Sequence, residues 1–306
     1  MAGKKRKIRP SLADKLIKML SRARNNEVID LNAWKHSQHV LEEQRRRNPS
    51  PDRYSELDPS SGVYAFAHNK MVDLIEILQE LTPLRRLINT IADAEDVYLP
   101  QGPPMSPITK SCFSAWSFFD LCLGGQEPLA CTIKEVGLWM GLHSSYGPLL
   151  DHFSQSRLGL YLHEGCMNEQ VCLTEIPSGK RFTCVVASGD TGQKGSLWLT
   201  RILPPPFSTS ACGVVYGTPY QLVNTPISSW ARYLERNYPK TRKKDSETAH
   251  EHLMKYGLKP CYWLEYLMAA YVNHTPHLIF ITGVPDQPES LPHGDLEAMM
   301  KNGLIR

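Results

Sequence analysis

Apolar residues recur at helical spacing up to about residue 150, at strand spacing from about 158 to 220, and at helical spacing again after Pro226. In the first stretch, Ser11 stands where it can cap a helix. That helix carries Leu12, Leu16, Met19 and Leu20 on one face and Lys15, Lys18 and Arg22 largely on the other. A second helix is predicted over Leu31 to Arg46, before Asn48-Pro-Ser-Pro-Asp52 breaks the chain. A third runs from about Asn69 to Leu81 through Met71, Leu74, Ile75 and Leu78. Thr82 and Pro83 then suit the cap and first position of a fourth, with Leu84, Leu87, Ile88 and Ile91 turned inward. Between Pro100 and Pro107 the prolines make a stiff loop. Beyond it Ile108, Cys112, Ala115, Trp116 and Phe119 mark a helix ending near Gly124-Gly125. Phe113 and Phe118 make this helix apolar nearly all round, which places it at the centre of a helical core.

The middle of the chain reads differently. Five short segments are rich in β-formers: Leu158 to His163, Val171 to Ile176, Phe182 to Ala187, Leu197 to Leu203 and Val214 to Tyr220. Pro177-Ser178-Gly179 is a hairpin turn, and Gly189 to Gly195 reads as the loop of another hairpin. Five such strands predict a small antiparallel barrel or strongly bent sheet, SH3-like or OB-like in size. After Pro226, helices are predicted over Ser228 to Tyr238, Ser246 to Tyr256 and Tyr262 to Val272, followed by a short β-type run, Leu278 to Thr282. The fold class is therefore α+β: a helical N-terminal region, a small five-stranded antiparallel barrel-like sheet and C-terminal helices. The divisions fall at 1–57 (basic helical extension), 58–150 (helical region), 151–225 (barrel-like region) and 226–306 (C-terminal helical segment). Ser178-Gly179-Lys180-Arg181-Phe182 and Gly195-Ser-Leu-Trp-Leu-Thr-Arg201-Ile202 resemble the hairpin and strand of small bacterial barrels of unknown function. That resemblance covers a small part of the chain and implies no activity.

Composition narrows the class. With 42% hydrophobic and 21% charged residues, the chain is not of a disordered type. Its longest apolar runs fall well short of the ~20 residues that span a bilayer. The basic N-terminus is not followed by an apolar segment of the secretory kind, so a cytoplasmic protein is expected, with no membrane association and no secretion. No two of the eight cysteines form CxxC, which points to reduced, mostly buried thiols. The net charge of +3 conceals an asymmetry: residues 1–24 hold nine basic groups against one acid, Asp14, and the remainder of the chain is net negative. This basic arm is the leading candidate surface. Lys4, Lys5, Arg6, Lys7, Arg9, Lys15, Lys18 and Arg22 would meet the phosphates of a nucleic acid or another anionic partner. Leu12, Leu16, Met19 and Leu20 would seat in the groove of a partner protein. Being polar and terminal, the arm is expected to be dispensable for the fold of the body.

Other candidate chemistry is weaker. Gly189-Asp-Thr-Gly192-Gln-Lys194-Gly195-Ser196 has the residue types of a phosphate loop in the wrong order, and a β-rich run follows where a helix is needed. His250 and His252 point to different helix faces, and His274, His277 and Cys261 lack metal-ligand spacing. Asp93, Glu95 and Asp96 form the densest acidic cluster near an apolar segment, against the dipole of a helix C-terminus. His143 stands beside Ser144 and Ser145, and His163 near Cys166, but triads converge in space rather than in sequence, so neither pair is a signature by itself. No catalytic residue, metal site or cofactor is predicted. The expected function is a non-enzymatic, cytosolic binding or regulatory component of a larger assembly, which contacts a partner protein or nucleic acid through the arm. The alternative is a hydrolase or nuclease using Asp93, Asp96 and a histidine.

Overall fold

The computed structural model describes residues 10–25, 57–79, 81–98, 112–122, 127–189, 191–208 and 212–292. The predicted contacts Lys4, Lys5, Arg6, Lys7 and Arg9, the helix over 31–46 and the loop at 100–107 lie outside the described residues.

Local capping starts the first helices. Helix α1, Leu12–Asn25, begins with a reciprocal cap. The Asp14 N–H donates to Ser11 Oγ at 3.0 Å, and the Ser11 N–H donates to the Asp14 carboxylate at 2.9 Å. Helix α2, Pro59–Leu78, starts well before the predicted Asn69. Asp58 accepts from the Ser60 and Ser61 N–H groups, and Pro59 takes the first helical position. Helix α3, Thr82–Tyr98, follows the Thr82-Pro83 signal. The next apolar segment is helical from 112 and widens into a π turn, Trp116–Asp120, closed by the Leu121 N–H on the Trp116 carbonyl. Two helices that no pattern above predicts complete this layer: α4, Leu129–Trp139, and α5, Tyr146–Gln155. Phe119 of the π turn stacks on Phe153 of α5, with 4.9 Å between ring centroids.

The apolar face of α1 is turned into this layer. Ala13 and Leu16 are buried, Leu12, Ile17 and Leu20 are half-buried, and the helix packs on α4 and α3. The Leu12, Leu16 and Leu20 side chains are thus covered by the chain's own helices. Helix α1 therefore contributes to the same core as the helical layer.

The strands are β1 (Leu158–Met167), β2 (Gln170–Ile176), β3 (Arg181–Val186), β4 (Leu197–Leu203) and β5 (Gly213–Leu222). They run in the order β3-β2-β1-β4-β5, and a parallel pairing of β3 with β5 closes the ring. The barrel is therefore mixed rather than wholly antiparallel. Because β1 lies between β2 and β4, the chain from β3 to β4 cannot be a hairpin; Gly189 to Gly195 crosses instead from one strand to a non-neighbour. His163 anchors that crossing through Thr191 O at 2.8 Å. Gly192 lies against Trp198, where an added Cβ would stand 2.2 Å from the indole ring. The barrel interior holds Tyr161, Val171, Leu173, Cys184, Trp198 and Val215. The outer faces of β1, β4 and β5 pack into the helices through Leu160, Leu199, Leu203 and Val214, among others. β4 is thus buried on both faces, which is why its sequence is apolar nearly throughout.

Strand β5 bends at Gly217, where φ is +80°, just before Pro219. Its first half pairs with β3, while Tyr220 to Leu222, still paired with β4, also pair in parallel with β7, Ile279–Ile281. Opposite the bend the β4–β5 register shifts between Leu199 and Arg201. The C-terminal helices are α6 (Ile227–Asn237), α7 (Ser246–Tyr256) and α8 (Tyr262–Ala270). Helix α8 stops short of the predicted Val272: Tyr271 to His274 form β6, which pairs with β7. Sheet pairing here overrides a helical apolar spacing.

Candidate functional site

Arg201 is the one charged residue of β4, and it projects from the outer face, which the helices cover. Its side chain is only 4% exposed. A buried guanidinium needs partners, and helix ends supply them. Nη1 donates to both the carbonyl and the Oγ of Ser156, the C-cap of α5, at 2.8 Å each. Nη2 pairs with Asp120, at the end of the π turn. The guanidinium also lies 5.5 Å from the centre of the Phe119 ring.

A second cation meets the same carboxylate. Lys255 of α7 donates to Asp120 Oδ1 at 3.2 Å, to the Phe119 carbonyl at 2.9 Å and to the Ser156 carbonyl at 2.8 Å. Burial lowers the pKa of Lys255, and the Asp120 charge opposes that fall. The cluster joins the π turn, the end of α5, β4 and α7. It sets two cations against one carboxylate.

These residues form part of the wall of a cavity of about 570 Å³ at the bend of β5, between the barrel and the C-terminal helices. That volume is in the range of small-molecule sites. Six aromatic rings contribute to the wall: Trp116, Tyr216, Tyr220, Tyr256, Tyr262 and Trp263. Asp120 is the one carboxylate among the described lining residues, whereas Arg201, Lys255, Lys243 and Lys259 all line it. Lys259 is mostly exposed and paired with Glu265 at 2.5 Å. Arg201 Nε and Thr200 Oγ1, polar atoms of two lining residues, are buried and carry no hydrogen bond. Burial pushes the thiols of Cys112 and Cys122, also in the wall, up to about 12 and about 11, so both stay protonated and weakly nucleophilic near neutral pH.

A second charged cluster clamps α7 to the barrel. Arg157 reaches Glu175 at 2.7 Å and holds Glu251 with two donors, while Ser178 Oγ donates to Glu175 at 2.6 Å. His250 lies 3.6 Å from Glu175 and bonds to Tyr238 Oη through Nδ1. Every group here faces another member of the cluster, and its reading is structural.

The remaining candidates do not converge. Asp93, Glu95 and Asp96 are exposed on α3 and lie outside the cavity wall. His143 pairs with Ser145 Oγ at 2.8 Å in an exposed turn. The His163 ring is held by the Thr191 carbonyl and the Gly165 N–H, while Cys166 is exposed. His274 bonds to Tyr271 Oη, far in role from Cys261, which lines the cavity. Among the described residues no three His, Cys, Asp or Glu side chains group as a metal site, and all eight cysteines are free thiols. No described helix is long and apolar enough to cross a membrane. Lys15, Lys18 and Arg22 are exposed on α1, and Met19 is half-buried. Sequence reasoning missed Asp120, Arg201 and Lys255. The one available signal was a lone Arg inside the apolar run of β4. Comparison with protein-family models, with curated proteins and with solved structures finds no match to this chain.

Proposed function

We propose that this protein is a non-enzymatic binding component that takes a small ligand into the cavity at the bend of β5. The observation that carries the reading is the wall itself: six aromatic rings beside a buried Asp–Arg–Lys cluster in a space of about 570 Å³. Aromatic walls with a few oriented polar groups are what small-molecule sites use for affinity and orientation. Capture rather than turnover is favoured by the state of the reactive groups. The Lys255 ammonium directs its donors to three acceptors, and the Cys112 and Cys122 thiols are held protonated. The test is a ligand-observed NMR screen with small aromatic molecules, run on the parent and on Ala115→Trp, which places an indole in the cavity. Binding by the parent that is lost in the folded variant is expected. Binding unaffected by the filled cavity, or no binding by the parent, refutes the reading.

A second reading concerns the arm, as a contact for an anionic partner such as nucleic acid. It is favoured by the orientation of α1, whose apolar face is covered while Lys15, Lys18 and Arg22 stay exposed. Binding through that face is electrostatic, so it should weaken steeply with salt and lose strength on replacing the three cations by Ala. Salt-independent binding to duplex DNA, RNA or a protein would contradict it.

A further inference from the structure

We infer that the ligand of this cavity is an aromatic carboxylate, a molecule with one negative charge on a flat apolar body. The inference rests on the small-molecule reading above and deepens it. The buried cluster is one anion short: Arg201 and Lys255 share Asp120, and the side chains are 4%, 11% and 8% exposed. Unbalanced charge in a poorly solvated interior is costly. The carbonyls of Phe119 and Ser156 supply partial charge to the two cations, which offsets that cost without cancelling a full unit. Arg201 and Lys255, both residues of the cavity wall, are the cations that an added anion would meet; Arg201 Nε itself is buried and carries no hydrogen bond. Lys243 is exposed, and Lys259 is mostly exposed and paired with Glu265, so solvent and that carboxylate screen both and the buried excess stays at one charge.

The charge deficit also selects the head group. One excess positive charge is neutralised by a carboxylate. A phosphate monoester brings about −1.5 to −2 and would leave the cluster negative. The body of the ligand follows from the rings: Trp116, Tyr216 and Trp263 favour a flat apolar surface over a flexible polar one.

Two substitutions change the deficit in opposite directions. Asp120→Asn raises the excess to two charges, and Lys255→Met brings it to zero while leaving the Arg201–Asp120 pair intact. Affinities for naphthoate, its neutral analogue naphthamide and naphthyl phosphate are measured by calorimetry on the parent and both variants. In the parent, naphthoate is expected to bind about tenfold more tightly than naphthamide, the worth of one charge-assisted hydrogen bond. This preference should grow in Asp120→Asn and vanish in Lys255→Met. Should either variant fail to fold, the comparison of acid, amide and phosphate in the parent decides by itself. Equal binding of acid and amide by the parent overturns the anion inference and leaves the small-molecule reading standing. Tighter binding of naphthyl phosphate than of naphthoate overturns the choice of a singly charged head. If none of the three binds, the inference fails; the wider screen on the parent and Ala115→Trp then decides whether the small-molecule reading fails with it.

Discussion

Leu16→Ala separates a docked helix from a helix held out for a partner. Leu16 is fully buried in the core cluster, on a helix that packs against α4. Truncating a buried Leu to Ala costs about 2–5 kcal/mol, from lost burial plus the cavity left behind. Helix α1 lies near the chain start and its neighbours can partly collapse into the space, so about 3 kcal/mol is expected. At about 2–4 °C per kcal/mol for a large domain, the melting temperature should fall by roughly 6–12 °C. The assay is thermal and urea unfolding followed by tryptophan fluorescence. The triple replacement of Lys15, Lys18 and Arg22 by Ala serves as the control, because exposed substitutions stay within about 0.5 kcal/mol. If Leu16→Ala matches the control in stability, α1 is not part of the core, and its apolar face is free for a partner after all.

Gly192→Ala tests the crossing loop. A Cβ there meets the Trp198 ring at 2.2 Å on a residue with φ of +61°, whereas Gly189 has open space around a φ of +83°. Gly192→Ala should cost about 1–3 kcal/mol more than Gly189→Ala and alter the near-UV tryptophan signal; equal costs would mean that the loop does not rest on the barrel. The Arg157 clamp predicts an acid limb. Burial alone would raise the pKa of Glu175, but His250 and Arg157 outweigh it and hold the carboxyl at about 2. A depressed folded-state value stabilises above the unfolded pKa of about 4.3, and that stability is lost as pH falls towards 2. Unfolding free energy should therefore decline across that window, and Glu175→Gln should be less stable at neutral pH with a flatter decline. An unchanged slope in the variant would count against the clamp.

Short-range signals were enough for much of the architecture. Ser246 to Tyr256 is bounded as the sequence predicts, because Asp245 caps its start and Gly257, at positive φ, ends it. The five strands lie close to the predicted segments, since a two-residue period and β-branched side chains act locally. Helix α2 could also have been read to its true start, because Asp58-Pro59 is a cap signal masked by the apolar spacing further on. Other features depended on what packs against what. The amphipathic face of α1 is legible in its spacing, but no periodicity states whether the chain or a partner covers it. The parallel closure of β3 on β5 follows from barrel geometry, and it is the pairing of β4 with β1 that turns the expected Gly189 to Gly195 hairpin into a crossing. Tyr271 and Val272 continue a helical spacing yet pair as a strand, because β7 offers an edge there. The cavity cluster was the least legible of all. Asp120 meets Arg201 across 81 residues and Lys255 across 135 residues, and sequence spacing carries no information at such separations. Only folding brings those charges together, by setting the Ser156 carbonyl at the end of α5 and the Asp120 carboxylate at the end of the π turn against the one charged position of a strand buried on both faces.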